Sequence, residues 1–210
     1  MIRVITVLSV GRIEVILLNS IIIRNDDVLL SSTAQYDNSF KRFKYVHETV
    51  CLSPQLKHIP AIVTEEIQEF PEAIDYIQLE TKEGRMFPEL HGLRHIDYGA
   101  LSEQEVIGQL SVACDWFVST LGYKPLKWYT PWGANQSHLH DAAQALGLKA
   151  IDCSGCIKFK GRYGVTQLLN EGRSLSYFEN KEIIMHWWNA LDVKRLEFFV
   201  KKLNEAHTPN

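Results

Sequence analysis

Two histidines four residues apart, in the segment His91-Gly92-Leu93-Arg94-His95, and an acidic pair far upstream, Asp26-Asp27, are the residues of this chain best suited to chemistry. Imidazole nitrogen and carboxylate oxygen together suit zinc and neighbouring divalent ions. On a helix, an i, i+4 pair would share one face. Gly92 and the aromatic-rich flanks instead predict a strand end or loop. Glu89 and Asp97 bracket the pair, either solvated or orienting a ligand imidazole. Adjacent acids are costly if buried, because like charges raise each other's pKa unless a cation separates them. An H-x-x-x-H motif alone also describes surface or core histidines, and Asp-rich turns also cap helices.

The elements that must position these residues alternate. Two strands split near Gly11-Arg12 fit the apolar start of the chain. Ile13 to Ile23 has the composition of a strand buried on both faces, ending in Arg24-Asn25-Asp26-Asp27. Ser31 to Lys44 reads as loop passing into helix. Ile59 to Thr64 reads as a second buried strand, and Glu65 to Glu80 as a helix with Pro71 near its start. Met86 to Leu90 is a short strand that delivers His91. Ser102 and Glu105 form a capping box, opening a helix that runs to Leu121 before Gly122. Lys127 to Tyr129 leads into Thr130-Pro131-Trp132-Gly133. Ser137 caps a helix to Leu146, Lys149 to Cys153 is a strand, and Ile183 to Met185 is the last strong one. An amphipathic helix over Asp192 to Ala206 closes the chain, with a frayed end beyond. The pattern predicts one α/β domain over residues 1–210, with its core about 13–206 and a mainly parallel sheet. Asp26-Asp27, His91/His95, Pro131-Trp132-Gly133, Asp152 and His186 each fall where a strand ends. In a barrel those ends share one rim.

Composition narrows the function classes. A length of 210 residues buries a core without disulfides. A formal net charge of −3 gives no footprint for nucleic acid. Arg3, Arg12, Glu14 and Asn19 interrupt the apolar start, so neither a membrane span nor a secretory signal is expected. Cys153-Ser154-Gly155-Cys156 has redox or zinc spacing, but no second such pair completes a four-thiolate site. The four thinly spread cysteines predict a reducing, cytoplasmic setting.

Taken in order, these motifs resemble the polysaccharide deacetylase superfamily, the NodB-homology family, whose fold is a distorted (β/α)7-type barrel. The counterparts are Asp26-Asp27, His91 with His95, Tyr129-Thr130-Pro131-Trp132-Gly133, Asp152, and Ile184-Met185-His186, over roughly residues 20–190. The resemblance implies that Asp27, His91 and His95 hold one divalent metal ion, zinc, with Asp26 as general base. It implies a backbone N–H near Trp132 for the oxyanion. His186 would be the proton donor, oriented by Asp152. Trp132, Trp187 and Trp188 would be apolar walls, and Tyr129, Pro131 and Gly133 part of the substrate turn. The partner implied is an N-acetylated sugar or glycan precursor.

The chain departs from that pattern in three places. Tyr129 stands where the family has an arginine paired to the base, and Arg24 is the candidate replacement cation. Arg24-Asn25 replaces Thr-Phe before the acidic pair, and Gly92 replaces Ser or Thr. These departures turn the expectation from polymeric chitin or peptidoglycan toward a branch associated with surface-glycan or O-antigen clusters. Two other readings compete: an amidohydrolase on another C–N bond, and a non-catalytic carbohydrate-binding relative. His47, His58, His138 and His140 carry no assigned role.

Overall fold

The computed structural model describes residues 4–9, 12–17, 20–28, 39–154, 156–159 and 164–206. Expectations for 31–38, Gly155 and the final residues lie outside that set. β1 (Val4–Ser9) and β2 (Arg12–Leu17) pair antiparallel, Val4 opposite Leu17, as a two-stranded sheet of their own. The continuous strand expected over Ile13 to Ile23 is therefore two strands. The second, β3, spans Ile21–Val28 and carries the acidic pair within it rather than beyond its end.

β3 lies near the middle of a seven-stranded sheet. With β4 (Leu56–Val63), β5 (Glu89–Gly92), β6 (Lys127–Tyr129), β7 (Lys149–Ile151), β8 (Ile157–Lys158) and β9 (Glu182–His186), the order is β7-β6-β5-β4-β3-β9-β8. Every pairing in this sheet is parallel. Helices α1 (Phe40–Cys51), α2 (Pro71–Lys82), α3 (Glu103–Leu121), α4 (Ser137–Ala145), α5 (Val165–Asn170) and α6 (Ala190–Glu205) form the connections or close the chain. This is the distorted (β/α)7 barrel, an open curl of sheet whose strands send their carboxyl ends to one rim. Among the described residues, no helix is long and apolar enough to cross a membrane.

Strand alternation sorts the side chains. Ile21 and Ile23 join the large cluster formed with the helices, including Phe43, Leu110, Phe117 and Phe199. On the other face, Ile22 packs with Ile59, Ala61, Tyr129 and Ile151.

Local chemistry sets the helix ends. Ser102 and Glu105 make the capping box, and Gly122 closes α3 with a φ of 79°. The helix expected over Glu65 to Glu80 is broken: a 3-10 turn covers Glu66–Glu69, and Phe70 is non-helical at φ −126°, ψ 70°. A residue preceding proline avoids the helical region, so Pro71 begins α2 instead of lying within it. The strand expected from Met86 starts at Glu89, with Met86 making only an isolated bridge to His58. Gln136, not Ser137, is the N-cap of α4.

Candidate metal centre

β3 does not stay regular where it carries the acids. It pairs Asn25 with Pro60 and then Val28 with Ile62, so one extra residue is absorbed between them. Pro60 has no N–H for a ladder bond, and prolines inside sheets concentrate at such bulges. Asp27 absorbs the irregularity with a φ of 57°. That left-handed conformation costs about 1–2 kcal/mol in a residue with a Cβ, of the same order as one good hydrogen bond. The Trp187 indole N–H supplies such a bond, donating to the Asp27 carbonyl at 2.8 Å.

β5 delivers His91, buried at the strand end. Gly92 follows with a φ of 148°, where a Cβ would lie 2.7 Å from the Tyr98 hydroxyl. The missing side chain leaves room for that hydroxyl, which accepts the Leu93 N–H at 2.9 Å and shapes the loop to His95. Gly92 is thus required by geometry at this position.

The two imidazoles meet Asp27. His91 Nε2 and His95 Nε2 each lie 2.9 Å from Asp27 Oδ1. One ligand atom from each of the three residues fits within a 4.8 Å span. His91 Nδ1 lies 2.7 Å from the Tyr129 carbonyl. A carbonyl only accepts, so Nδ1 carries the proton and the Nε2 lone pair faces a carboxylate oxygen. Two acceptors at that distance need positive charge between them, either a second proton on the buried ring or a cation. Burial opposes charge on His91, but the Asp27 hydrogen bond overrides it and the ring's pKa lies above its ordinary value. Burial likewise pushes Asp27 up, and the His91 and His95 hydrogen bonds outweigh it, holding the carboxyl well below the carboxylate range. The donor set fits a divalent metal ion, with the Tyr129 carbonyl fixing the tautomer of one ligand.

Asp26 stands opposite His186 in the β3–β9 register. Arg24, two residues back and on the same face, donates from Nη2 to Asp26 Oδ2 at 2.9 Å. Its Nε also lies 2.8 Å from Oδ1, without an aligned N–H, so that second contact is electrostatic only. The guanidinium stacks 4.3 Å from the Tyr129 ring centroid and receives Cys153 and Cys156 as soft acceptors at 3.3 and 3.5 Å. Burial pushes the Cys156 thiol up to about 11. All four cysteines are free thiols.

His186 lies over the centre, its Nε2 3.7 Å from Asp27 Oδ2. The acid that lies beside it differs from expectation. Asp192, in the first turn of α6, accepts the His186 backbone N–H at 3.3 Å and lies 3.9 Å from Nδ1. Asp152 instead caps its own loop, taking the Ser154 N–H at 2.9 Å and hydroxyl at 2.6 Å. Its neighbours in sequence satisfy it locally, as Asp does in turns.

The substrate-wall residues divide. Trp132 is 74% exposed at a φ of 59°. Its ring lies 4.8 Å from that of His95. Trp188 lies 5.0 Å from His186. Pro131 and Gly133 form the turn between them and β6, where Thr130 accepts the Gly133 N–H at 3.2 Å. Trp187 is fully buried, edge-on to Phe43, so it supports the rim from below and does not wall it. Tyr129 is also fully buried. Its hydroxyl donates to Glu182 Oε1 at 3.0 Å, and burial pushes it far above the usual phenol range. It underlies Arg24 and belongs to the interior, not to the substrate turn.

Solved structures share the fold that carries these residues. A family 4 carbohydrate esterase from Streptomyces lividans, in complex with acetate, matches with a TM-score of 0.63 at 13% identity, over 90% of this chain and 89% of that one. The chain shares the fold of the polysaccharide deacetylases. Peptidoglycan deacetylase PdaC from Bacillus subtilis matches that fold with a TM-score of 0.60 at 15% identity, over 90% and 85% of the two chains. A CE4 family pseudoenzyme from Bacillus anthracis matches with a TM-score of 0.62 at 11% identity, over 90% of this chain and 62% of that one. No protein-family model and no curated protein matches the sequence.

Sequence reasoning missed Asp192, which lies six residues beyond His186 and reads as an ordinary helix-start acid. It also left His47 and His58 unassigned. Both are buried and joined to each other.

Proposed function

We propose that this chain is a metal-dependent N-deacetylase of the polysaccharide deacetylase superfamily, acting on an N-acetylated sugar or glycan precursor. One observation carries the reading: Asp27, His91 and His95 converge within ligand distance at the strand rim, beside Asp26 and His186. Asp27, His91 and His95 would hold one divalent ion, zinc. When bound there, such an ion acidifies water and polarises an amide carbonyl. Asp26 takes the proton of the attacking water, with Arg24 holding its carboxylate in place. A backbone N–H near Trp132 would stabilise the developing oxyanion. His186, oriented by Asp192, gives its proton to the departing amine. Trp132 and Trp188 flank the site with apolar surface suited to a sugar face or an acetyl methyl. Residues 1–210 act as one domain in a reducing, cytoplasmic setting, in keeping with free thiols at every cysteine.

A non-catalytic carbohydrate-binding relative is the second reading, favoured by the missing arginine at Tyr129 and by the pseudoenzyme among the similar structures. Arg24 weighs against it, because it supplies the base with a cation from a different strand position. Acetate and free-amine release from a panel of N-acetyl sugars and cyclic amides, using zinc-loaded protein, tests the proposal. Release from N-acetyl sugars supports it, turnover of cyclic amides alone moves it to the amidohydrolases, and no release favours the binding relative.

A further inference from the structure

Behind the rim, five residues form one hydrogen-bonded line from the surface to Asn25, which Trp187 links to Asp27. Arg85 donates to both oxygens of Glu80, from Nε at 2.6 Å and Nη2 at 2.9 Å. Glu80 Oε2 lies 3.0 Å from His47 Nε2. His47 Nδ1 lies 2.8 Å from His58 Nδ1. His58 Nε2 lies 3.4 Å from Asn25 Nδ2. Asn25 Oδ1 accepts the Trp187 backbone N–H at 2.9 Å, across from β3 to β9.

The protons can be placed from either end. The Arg85 hydrogen bonds hold Glu80 ionised, against the opposing effect of burial, with a pKa of about 2. It can only accept, so His47 Nε2 bears hydrogen. Burial opposes charge on His47 and His58, which leaves one proton on each ring. His47 Nδ1 then accepts from His58 Nδ1–H, and His58 Nε2 accepts from the Asn25 amide. From the other end, the Trp187 N–H can only donate. It turns Asn25 Oδ1 toward itself and Nδ2 toward His58. The two assignments agree at every link, so each donor points from the site toward the surface ion pair. Cys51 Sγ, 3.5 Å from His47 Nε2, is a second weak acceptor on that proton.

We infer that this hydrogen-bonded line is the support that holds Asp27 in ligand position, and that His58 is its central positioning residue. Asp27 is left-handed, its carbonyl is held by the Trp187 indole, the Trp187 backbone is held by Asn25, and Asn25 is held by His58. Removing His58 frees the Asn25 amide, loosens the crossing between β3 and β9, and lets the strained Asp27 drift from His91 and His95. The consequence for metal rests on the function proposed above. The proton arrangement does not.

The test labels the imidazole nitrogens with 15N and compares wild type with His58→Phe and Trp187→Phe. At pH 7.5 the expected spectra show His58 protonated at Nδ1 and His47 at Nε2, both neutral. Zinc, measured by competition with a chromophoric chelator, is expected to bind about tenfold more weakly to either folded variant. In His58→Phe the Trp187 backbone amide resonance is expected to move. The reverse tautomers, an imidazolium at either position, or an unmoved Trp187 amide in folded His58→Phe would overturn the inference. So would unchanged zinc affinity in the folded variants. If wild type binds no zinc, the function proposal fails, while tautomers and the Trp187 amide still decide the positioning claim. Should His58→Phe not fold, Trp187→Phe and the wild-type tautomers decide it.

Discussion

Arg24 and Asp26 sit two residues apart on one strand and face each other inside the barrel, Nη2 to Oδ2 at 2.9 Å, both almost completely buried. The guanidinium rests on the Tyr129 ring. The residue replacing the expected arginine therefore cradles another arginine that approaches the same acid from elsewhere.

Removing one member of a buried ion pair leaves the other charge uncompensated. Arg24→Met is expected to lower unfolding free energy by about 3–5 kcal/mol, read by denaturant titration. A loss within about 0.5 kcal/mol would mean that Asp26 does not depend on this partner.

Asp26→Asn keeps the shape of the side chain and removes its capacity to accept a proton. Zinc binding should stay close to wild type, while acetate release falls by about a hundredfold or more. Normal turnover in this variant would assign the base elsewhere.

Gly92→Ala puts a methyl 2.7 Å from the Tyr98 hydroxyl and forces a side chain onto a φ of 148°. The expected cost is about 2 kcal/mol or more in stability, since strain and overpacking add. Thermal unfolding measures it, and an unchanged midpoint would contradict the tight approach.

Two buried groups give stability a sign with pH. Arg85 and His47 hydrogen bonds depress Glu80 from 4.5 to about 2, so its contribution is complete above pH 4.5 and fades as pH falls toward 2. Burial depresses His58 below 6.5 in the folded state, so the unfolded chain takes up the proton first and stability begins to fall below pH 6.5. Unfolding titrations from pH 8 to about pH 3 are expected to show the wild type losing stability from near 6.5, with a flatter profile in His58→Phe. Equal slopes would mean that His58 is not the linked group.

Much of this was legible in the sequence because it rested on local chemistry. The capping box of Ser102 and Glu105, the strand that ends at His91, and the ordered motifs from Asp26 to His186 are short-range signals, and each element lies close to where it was expected. Arg24 was a candidate cation in the sequence, but its place on the face of Asp26 follows from β3 running on through both residues, past the strand end expected at Ile23. Three features were not legible because they depend on packing between distant segments. His47 and His58 meet only when α1 lies against β4. Trp187 and Trp188 are adjacent in sequence, yet only the second reaches the rim. Asp192 reaches His186 because α6 begins directly after β9, whereas Asp152 turns back on Ser154.

The most direct test is the metal content of purified protein reconstituted with zinc and dialysed, for wild type and Asp27→Ala in parallel. The expected result is about one divalent ion per chain in wild type and none in folded Asp27→Ala. No retained ion in wild type, or equal retention in the variant, would contradict a metal centre at Asp27, His91 and His95.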